Sequence, residues 1–270
     1  MIGRRPWLLY GAMVAGFAFL YLPILALVVY SFNASRLVTV WAGFSTRWYA
    51  ELAQNERMLE AAWLSLRIAA ISASLALVLG TLAGFVLARF GRFPGRLLFG
   101  GLVSAPLVIP EVISGLSLLL LFVGLEQLTG WPAERGMLTI VLAHTTFCLA
   151  FVAVIVQSRL AGMDRDCEEA ALDLGARPTK VFCVITLPMI APALLSGWLL
   201  AFTLSLDDLV ITSFVSGPGS STLPMLVFSS VRLGVSPQIN ALATILLVVV
   251  AVVVIIAGRL VARTRNPQGT

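Results

Sequence analysis

Long apolar stretches constrain the fold more than any other feature of this sequence. Six of them lie at roughly 7–31, 61–88, 97–123, 137–158, 188–213 and 239–261. A membrane-spanning helix needs about 20 mostly apolar residues, because the hydrocarbon core of a bilayer is about 30 Å thick. A mean hydropathy of +0.99 and a charged fraction of 11% agree with this pattern. The sequence therefore predicts an all-α integral membrane protein with six transmembrane helices.

The first apolar stretch follows Met-Ile-Gly-Arg-Arg, as the apolar core of a signal peptide would. It is too long for such a core, and no small-residue cleavage site closes it. We therefore expect this stretch to be retained. We also expect residues 1–270 to form a single transmembrane domain without an appended soluble module.

Basic residues are distributed unevenly between the two sides of the predicted membrane domain. With six spans, both termini share one side with the loops near 89–96 and 159–187, and this side carries twelve of the 18 lysines and arginines. The positive-inside rule therefore places both termini in the cytoplasm. The pI near 9.6 is then explained by the excess of basic residues on the cytoplasmic side. We expect membrane lipid to surround the chain, and we expect no nucleic-acid partner.

Several enzyme classes are excluded by motif. Lys180 is the one lysine and Val181 follows it, so the chain has no GxxxxGK[ST] phosphate loop. His144 is the one histidine, which excludes HExxH zinc chemistry, and no GxSxG nucleophile elbow occurs. The three cysteines match no metal-binding spacing. We therefore expect no catalytic residues, no metal and no cofactor in this chain.

A polar segment, "EEAALDLGARPTKVFCVITLP", interrupts the apolar pattern from Glu168 to Pro188. Its first seven residues favour a short helix with acids in the first turn, where they complement the helix dipole. Gly175 is expected to end that helix, and Pro178 to begin a second one. A helical pair below the membrane suits docking into a groove of a partner, or packing against lipid headgroups. The residues alone favour neither interpretation.

The spacing in this segment resembles a known motif. Three blocks carry it, separated by three and nine residues: Glu169-Ala170-Ala171, Gly175, and Ile185 with Leu187-Pro188. This pattern is similar to the EAA motif, EAA-x3-G-x9-I-x-LP, of the membrane subunits of bacterial binding-protein-dependent ABC importers. The resemblance implies the type I ABC importer permease fold, with residues 163–185 as a cytoplasmic coupling loop.

In that family, two short helices insert into a cleft of an ATPase subunit. The resemblance therefore implies that four residues couple this chain to an ATPase: Glu169, Ala170, Ala171 and Gly175. It also implies the partners, namely a second homologous permease subunit, two ATPase subunits that bind the ATP, and a periplasmic binding protein. The expected location is the bacterial inner membrane.

Other segments resemble the polyamine branch of this family, the spermidine/putrescine permease subunits. "GWLLAFTLSLDDLVITSF" carries this similarity, and "APLVIPEVISGLSLLLLF" and "GWPAERGMLTIVLAHTTFC" resemble most the second permease subunit of putrescine-specific importers. The resemblance implies import of a polyamine, putrescine first, with spermidine or another small solute as the alternative. A passive channel or a membrane-embedded enzyme is the alternative of another class. A channel needs no ATPase-docking element, and an enzyme needs a nucleophile or metal set that we do not find.

Three acidic residues, Glu111, Asp207 and Asp208, lie within the predicted spans. A charge in hydrocarbon costs about 3 kcal/mol even on lenient scales, so each needs a protein or aqueous environment. Putrescine is an aliphatic dication, and its path would need carboxylates and aromatic faces. These three acids are therefore candidate substrate-path residues.

Glu111 follows Pro106 and Pro110, which should break or kink the third span. Glu111 would then begin a new half-helix, where the dipole stabilises a carboxylate. It either caps this broken helix or contributes to a substrate site, since broken helices near the midplane often build such sites.

Asp207 and Asp208 are expected near the outer end of the fifth span. Helical spacing places one stripe of side chains together: Trp198, Phe202, Ser205, Asp208 and Thr212. An aromatic wall with a carboxylate suits an ammonium group, so we expect Trp198, Phe202 and Asp208 to line the path, with Asp208 slightly preferred to Asp207. The alternative is that both aspartates reach headgroup water. His144 is expected to be a hydrogen-bonded packing residue or to line a polar path.

Overall fold

The computed structural model describes residues 6–37, 40–233 and 237–265, and these residues are mostly helical. An isolated bridge between Asn33 and Phe44 is the β-pairing within those ranges. The chain divides into two compact units. One comprises the described parts of Met1–Leu59 and Val227–Thr270, and the other comprises Glu60–Leu226.

Twelve α-helices and one π-helical turn occupy the described ranges. In chain order they are α1 (Pro6–Tyr30), α2 (Arg47–Ala53), α3 (Glu56–Arg89), α4 (Arg96–Val108), α5 (Glu111–Thr129), α6 (Met137–Ala161), α7 (Asp166–Asp173), α8 (Pro178–Val181), the π-turn (Phe182–Thr186), α9 (Leu187–Asp207), α10 (Val210–Val215), α11 (Leu223–Leu233) and α12 (Pro237–Arg265).

Five helices in the described ranges are long and apolar enough to cross a membrane, judged by length and composition. They are Leu9–Tyr30, Glu56–Arg89, Glu111–Thr129, Met137–Ala161 and Pro178–Asp207. Shorter apolar helices are found at Arg96–Val108, Leu223–Arg232 and Pro237–Val252. The predicted all-α membrane fold is confirmed, and these helices are compatible with the six predicted spans.

The third predicted span is divided between α4 and α5. Ile109 leaves the helical conformation (φ −77°, ψ 130°), because a proline disfavours that conformation in the residue before it. Pro110 is also extended, and α5 begins at Glu111. Pro106 stays within α4.

The fifth predicted span differs from the expectation at both ends. We expected it to begin near residue 188, but the helix is continuous from Pro178 to Asp207. Pro188 removes one backbone donor, and the π-turn before it changes the hydrogen-bonding pattern at that point. At the other end, the expected continuation to residue 213 was wrong. Asp208 is extended (φ −64°, ψ 125°), and α10 is a separate helix.

Helix α6 forms the centre of the second unit. Its buried face packs against α4, α9 and α10, and includes Ile140, Val152 and Val156, which are fully buried. Helix α3 approaches α6 closely through two glycines. A Cβ on Gly84 would lie 2.6 Å from the Ala153 carbonyl oxygen, and Gly80 is similarly close to Val152. This GxxxG pair is therefore a helix contact that requires small residues.

In the first unit, α12 packs against α1 and α2. The buried Asn33 side chain organises the connection between α1 and α2: its Oδ1 accepts from the Ala42 N–H at 2.9 Å, and its Nδ2 donates to the Val40 carbonyl at 2.7 Å. The Trp48 indole donates to the Asn33 carbonyl at 2.6 Å. The Asn33 side chain thus provides hydrogen-bond partners for backbone groups of the loop between α1 and α2.

Candidate functional site

The polar segment after α6 forms a helical hairpin of α7 and α8. Gly175 adopts φ +81°, a left-handed conformation that costs other residues about 1–2 kcal/mol. Arg177 is extended, and Pro178 occupies the first turn of α8, where its missing N–H removes no intrahelical hydrogen bond. Glycine and proline therefore set the turn between the two helices.

The predicted coupling residues lie on the accessible side of this hairpin. Glu169, Ala170 and Gly175 are exposed, and Ala171 is half-buried. Leu174, beside Gly175, leaves 89% of its surface exposed. The hairpin presents these residues outward, and their coupling role stays a prediction.

Glu168 faces inward and anchors α7. Its Oε1 accepts hydrogen bonds from Thr186 Oγ1 at 2.8 Å and from Arg89 Nη2 at 3.3 Å. Its Oε2 lies 3.0 Å from Arg89 Nε. The two charged side chains leave 9% (Arg89) and 12% (Glu168) of their surfaces exposed. A buried ion pair needs such additional hydrogen bonds to offset its desolvation.

Arg89 extends this network to α6, because its Nη1 donates to the Leu160 carbonyl at 3.1 Å. A cation at a helix C-terminus is also favoured by the helix dipole. Next to the ion pair, the rings of Phe85 and Phe182 meet edge to face, with centroids 4.7 Å apart. These groups line a cleft of about 210 Å³ between α7 and the end of α3.

The start of α7 is strongly acidic, with Asp166, Glu168 and Glu169 in its first turn. A hydrogen bond from the protonated Asp166 carboxyl to the Asp164 carboxylate, together with the negative charge of Asp164, raises the pKa of Asp166. Among these acids, Glu168 has the buried side chain, so the others form the solvated face of the helix.

Glu111 is the first residue of α5 and is exposed. One turn later, Gly115 allows α10 to pack closely on α5, since a Cβ there would lie 2.7 Å from the Phe214 ring. The helix that follows the Asp208 break therefore contacts the helix that follows the Pro110 break.

Asp208 occupies the break between α9 and α10, and its carboxylate is engaged within the chain. Oδ2 accepts from the Thr212 N–H and hydroxyl, both at 2.7 Å, and lies 3.1 Å from His144 Nε2. His144 Nδ1 is 2.7 Å from Ser205 Oγ. The Asp208 side chain is 6% exposed, so it presents no open carboxylate in this structure.

Asp207, the last residue of α9, is exposed. Trp198 and Phe202 stack with ring centroids 5.2 Å apart, and both pack against the core of the second unit. The Trp198 indole donates to Ser74 of α3 at 3.1 Å. The predicted stripe thus consists of half-buried aromatic rings and a buried Asp208 side chain, whereas Asp207, which lies outside this stripe, is accessible.

Sequence reasoning missed two residues and one pairing that build these networks. Arg89 and Thr186 were not expected to hold α7, and His144 was not expected to bind Asp208. The polar character of His144 within an apolar stretch was a signal for hydrogen bonding. No sequence signal pairs Arg89 with Glu168, because 79 positions separate them.

Comparison with known proteins gives a consistent result. Residues 76–266 match the family described as "Binding-protein-dependent transport system inner membrane component". The chain is 65% identical to the putrescine transport system permease protein PotI of Escherichia coli (strain K12), over 98% of this chain and 94% of the relative. It is 44% identical to the spermidine/putrescine transport system permease protein PotC of the same organism, over 100% and 98%.

A solved structure shares the fold. It is the crystal structure of a bacterial ABC transporter involved in the import of the acidic polysaccharide alginate, with a TM-score of 0.72 and 15% identity. The match covers 99% of both chains. At this identity the similarity concerns the fold alone.

Proposed function

Because this chain belongs to the family of binding-protein-dependent transport system inner membrane components, we propose that it is a membrane subunit of an ATP-driven importer of putrescine. The solute would move from the periplasm to the cytoplasm. The observation that carries the choice of solute is the 65% identity to a putrescine permease over nearly the full length of both chains.

The proposed assembly contains this chain and a second homologous permease subunit, both embedded in the inner membrane. It also contains two ATPase subunits and a periplasmic polyamine-binding protein. Both termini and the 163–185 loop lie in the cytoplasm in this proposal. The absence of a phosphate loop from the sequence agrees with ATP being bound by the partner subunits. The chain itself would need no cofactor.

The α7–α8 hairpin is the proposed contact with the ATPase. Its exposed side carries Glu169, Ala170 and Gly175, and the apolar Leu174 projects beside them. Closure of the ATPase subunits on ATP would displace this hairpin. Because α8 continues into α9 through the π-turn, the displacement reaches the membrane without an intervening loop. The cavity would thereby change from cytoplasmic to periplasmic access.

The proposed solute path uses the two accessible carboxylates, Glu111 and Asp207, which stand at helix ends. Carboxylates at such positions suit the ammonium groups of putrescine. Trp198 and Phe202 would supply aromatic faces beside the path. Asp208 would act by holding the helix break, since its carboxylate already binds Thr212 and His144.

Spermidine is the second candidate solute, because the chain is also 44% identical to a spermidine/putrescine permease over its full length. The two polyamines share the terminal ammonium groups and differ in length and in one internal amine. The same two carboxylates would therefore serve either solute, and the distance between ammonium groups would decide the preference.

The decisive experiment reconstitutes the chain with its partner subunits in proteoliposomes and measures ATP hydrolysis and uptake with putrescine, spermidine or an amino acid supplied with the binding protein. We expect putrescine to stimulate both activities and the amino acid to stimulate neither. Uptake without ATP would indicate a passive channel. Stimulation by spermidine alone would transfer the assignment to that solute.

A further inference from the structure

Helix α7 has two faces with different chemistry, which is the starting point for a further inference. Glu169, in the motif, is exposed, whereas its neighbour Glu168 is buried. The outward face suits contact with a partner. The inward face is tied to the rest of the second unit by a buried carboxylate, and that carboxylate is not one of the motif residues.

We propose that the Glu168–Arg89 ion pair, with Thr186, is the link through which movement of α7 reaches the membrane helices. This inference rests on the proposed function. In this link Glu168 and Arg89 are positioning residues: they touch neither ATP nor the solute and act by holding α7 to the ends of three spans.

The geometry connects four elements through a few atoms. Glu168 of α7 accepts from Thr186, which ends the π-turn directly before α9. Arg89, the last residue of α3, lies 3.0 Å from the same carboxylate and donates to the Leu160 carbonyl in the last turn of α6. A displacement of α7 would therefore act on α3, α6 and α9 at the same time.

The network is well suited to transmit force because both Glu168 carboxylate oxygens and all three Arg89 nitrogens lie 2.8–3.3 Å from a polar partner. Its side chains are shielded from water, and polar contacts in such a buried environment are stronger than at the protein surface. Thr186 is 1% exposed. A second contact, from Arg165 to the Ala88 carbonyl at 3.3 Å, supports the same junction.

The test measures uptake of putrescine per ATP hydrolysed in the reconstituted complex. Glu168→Gln and Arg89→Gln each remove one charge and leave the other buried without its partner. We expect both variants to keep the ATPase bound and to hydrolyse ATP, while uptake per ATP falls about tenfold, within the range over which networks alter coupling between sites. The double variant, which leaves no unpaired charge, should recover part of the ratio.

Glu134→Gln is the matched control, since it makes the same substitution at an exposed acid outside the α7–α8 hairpin. Its ratio should equal that of the parent protein. If a single variant fails to fold, Thr186→Val provides the same test without an unpaired charge, because it removes the hydroxyl and keeps the shape.

Three outcomes separate the two levels of inference. Loss of coupling in the ion-pair variants with the ATPase still bound supports the link. An unchanged ratio of uptake to hydrolysis in Glu168→Gln and Thr186→Val overturns the link and leaves the proposed function intact. Failure of the parent complex to couple putrescine uptake to ATP overturns the proposed function, and the link with it.

Discussion

His144 Nε2 lies 3.1 Å from Asp208 Oδ2, so the central helix of the second unit holds the break in the fifth span. His144 belongs to α6, and Asp208 separates α9 from α10. The same carboxylate accepts the N–H groups of Ile211 and Thr212 at 3.3 and 2.7 Å. Asp208 therefore caps the short helix α10 and fixes it to α6 at the same time.

Replacing Asp208 with alanine should lower the free energy of unfolding by about 2–4 kcal/mol, the combined cost of a lost helix cap and of buried polar groups without partners. Asp208→Asn should cost less, because it keeps one acceptor for the Thr212 N–H. Thermal unfolding of the purified chain in detergent measures both. An unfolding temperature equal to that of the parent protein for Asp208→Ala would show that the cap contributes nothing.

Asp207→Asn should reduce transport and leave the stability of the chain nearly unchanged. Its side chain is exposed, so the free energy of unfolding should change by no more than about 0.5 kcal/mol. Putrescine uptake should fall about tenfold or more, because a hydrogen bond to a charged group is worth about 1.5–3 kcal/mol. Uptake by the reconstituted complex provides the measurement. Glu134→Gln, an exposed acid between α5 and α6, is the control and should transport normally.

Gly175→Ala should disturb the hairpin because the glycine adopts φ +81°. The left-handed conformation costs an alanine about 1–2 kcal/mol, so the turn should shift toward another geometry. We expect the amount of ATPase that co-purifies with the chain to decrease. Gly175→Asn should retain more of it, since asparagine tolerates this conformation better. Equal recovery of the ATPase with both variants and the parent protein would argue against docking through this turn.

Gly84→Ala should destabilise the second unit by about 1–3 kcal/mol, the usual cost of overpacking. The new Cβ would meet the Ala153 carbonyl oxygen at 2.6 Å, and a backbone atom has little freedom to move away. Gly124→Ala, a helical glycine with no heavy atom within 4 Å of the added Cβ, is the control. The control should be neutral or slightly stabilising in the same unfolding assay. Equal unfolding temperatures for the two variants would contradict the close packing of α3 on α6.

Much of the fold could be predicted from the sequence because its determinants are local. Apolar stretches of sufficient length indicate membrane helices, whatever they pack against. Pro110 indicates the break in the third span, since a proline restrains the residue before it. Gly175 and Pro178 indicate the hairpin turn in the same way. Each inference needs only the residue and its immediate neighbours.

The features that could not be predicted depend on distant residues. The segment around Asp208 contains neither proline nor glycine, and its periodicity fits a continuous helix. Its break is stabilised by His144, 64 positions away. The spacing of the Trp198 stripe therefore extrapolated past the point where the helix ends. Likewise, Pro188 suggested the start of a helix, but the π-turn before it allows the helix to begin ten residues earlier, at Pro178.

The continuous helix from Pro178 to Asp207 has a mechanical consequence. Its 30 residues form a rod roughly 45 Å long at 1.5 Å per residue. One tip belongs to the hairpin that faces the cytoplasm in our proposal, and the other carries an accessible carboxylate. If this helix tilts about a point near Pro178, its Asp207 end moves several times farther than its Pro178 end.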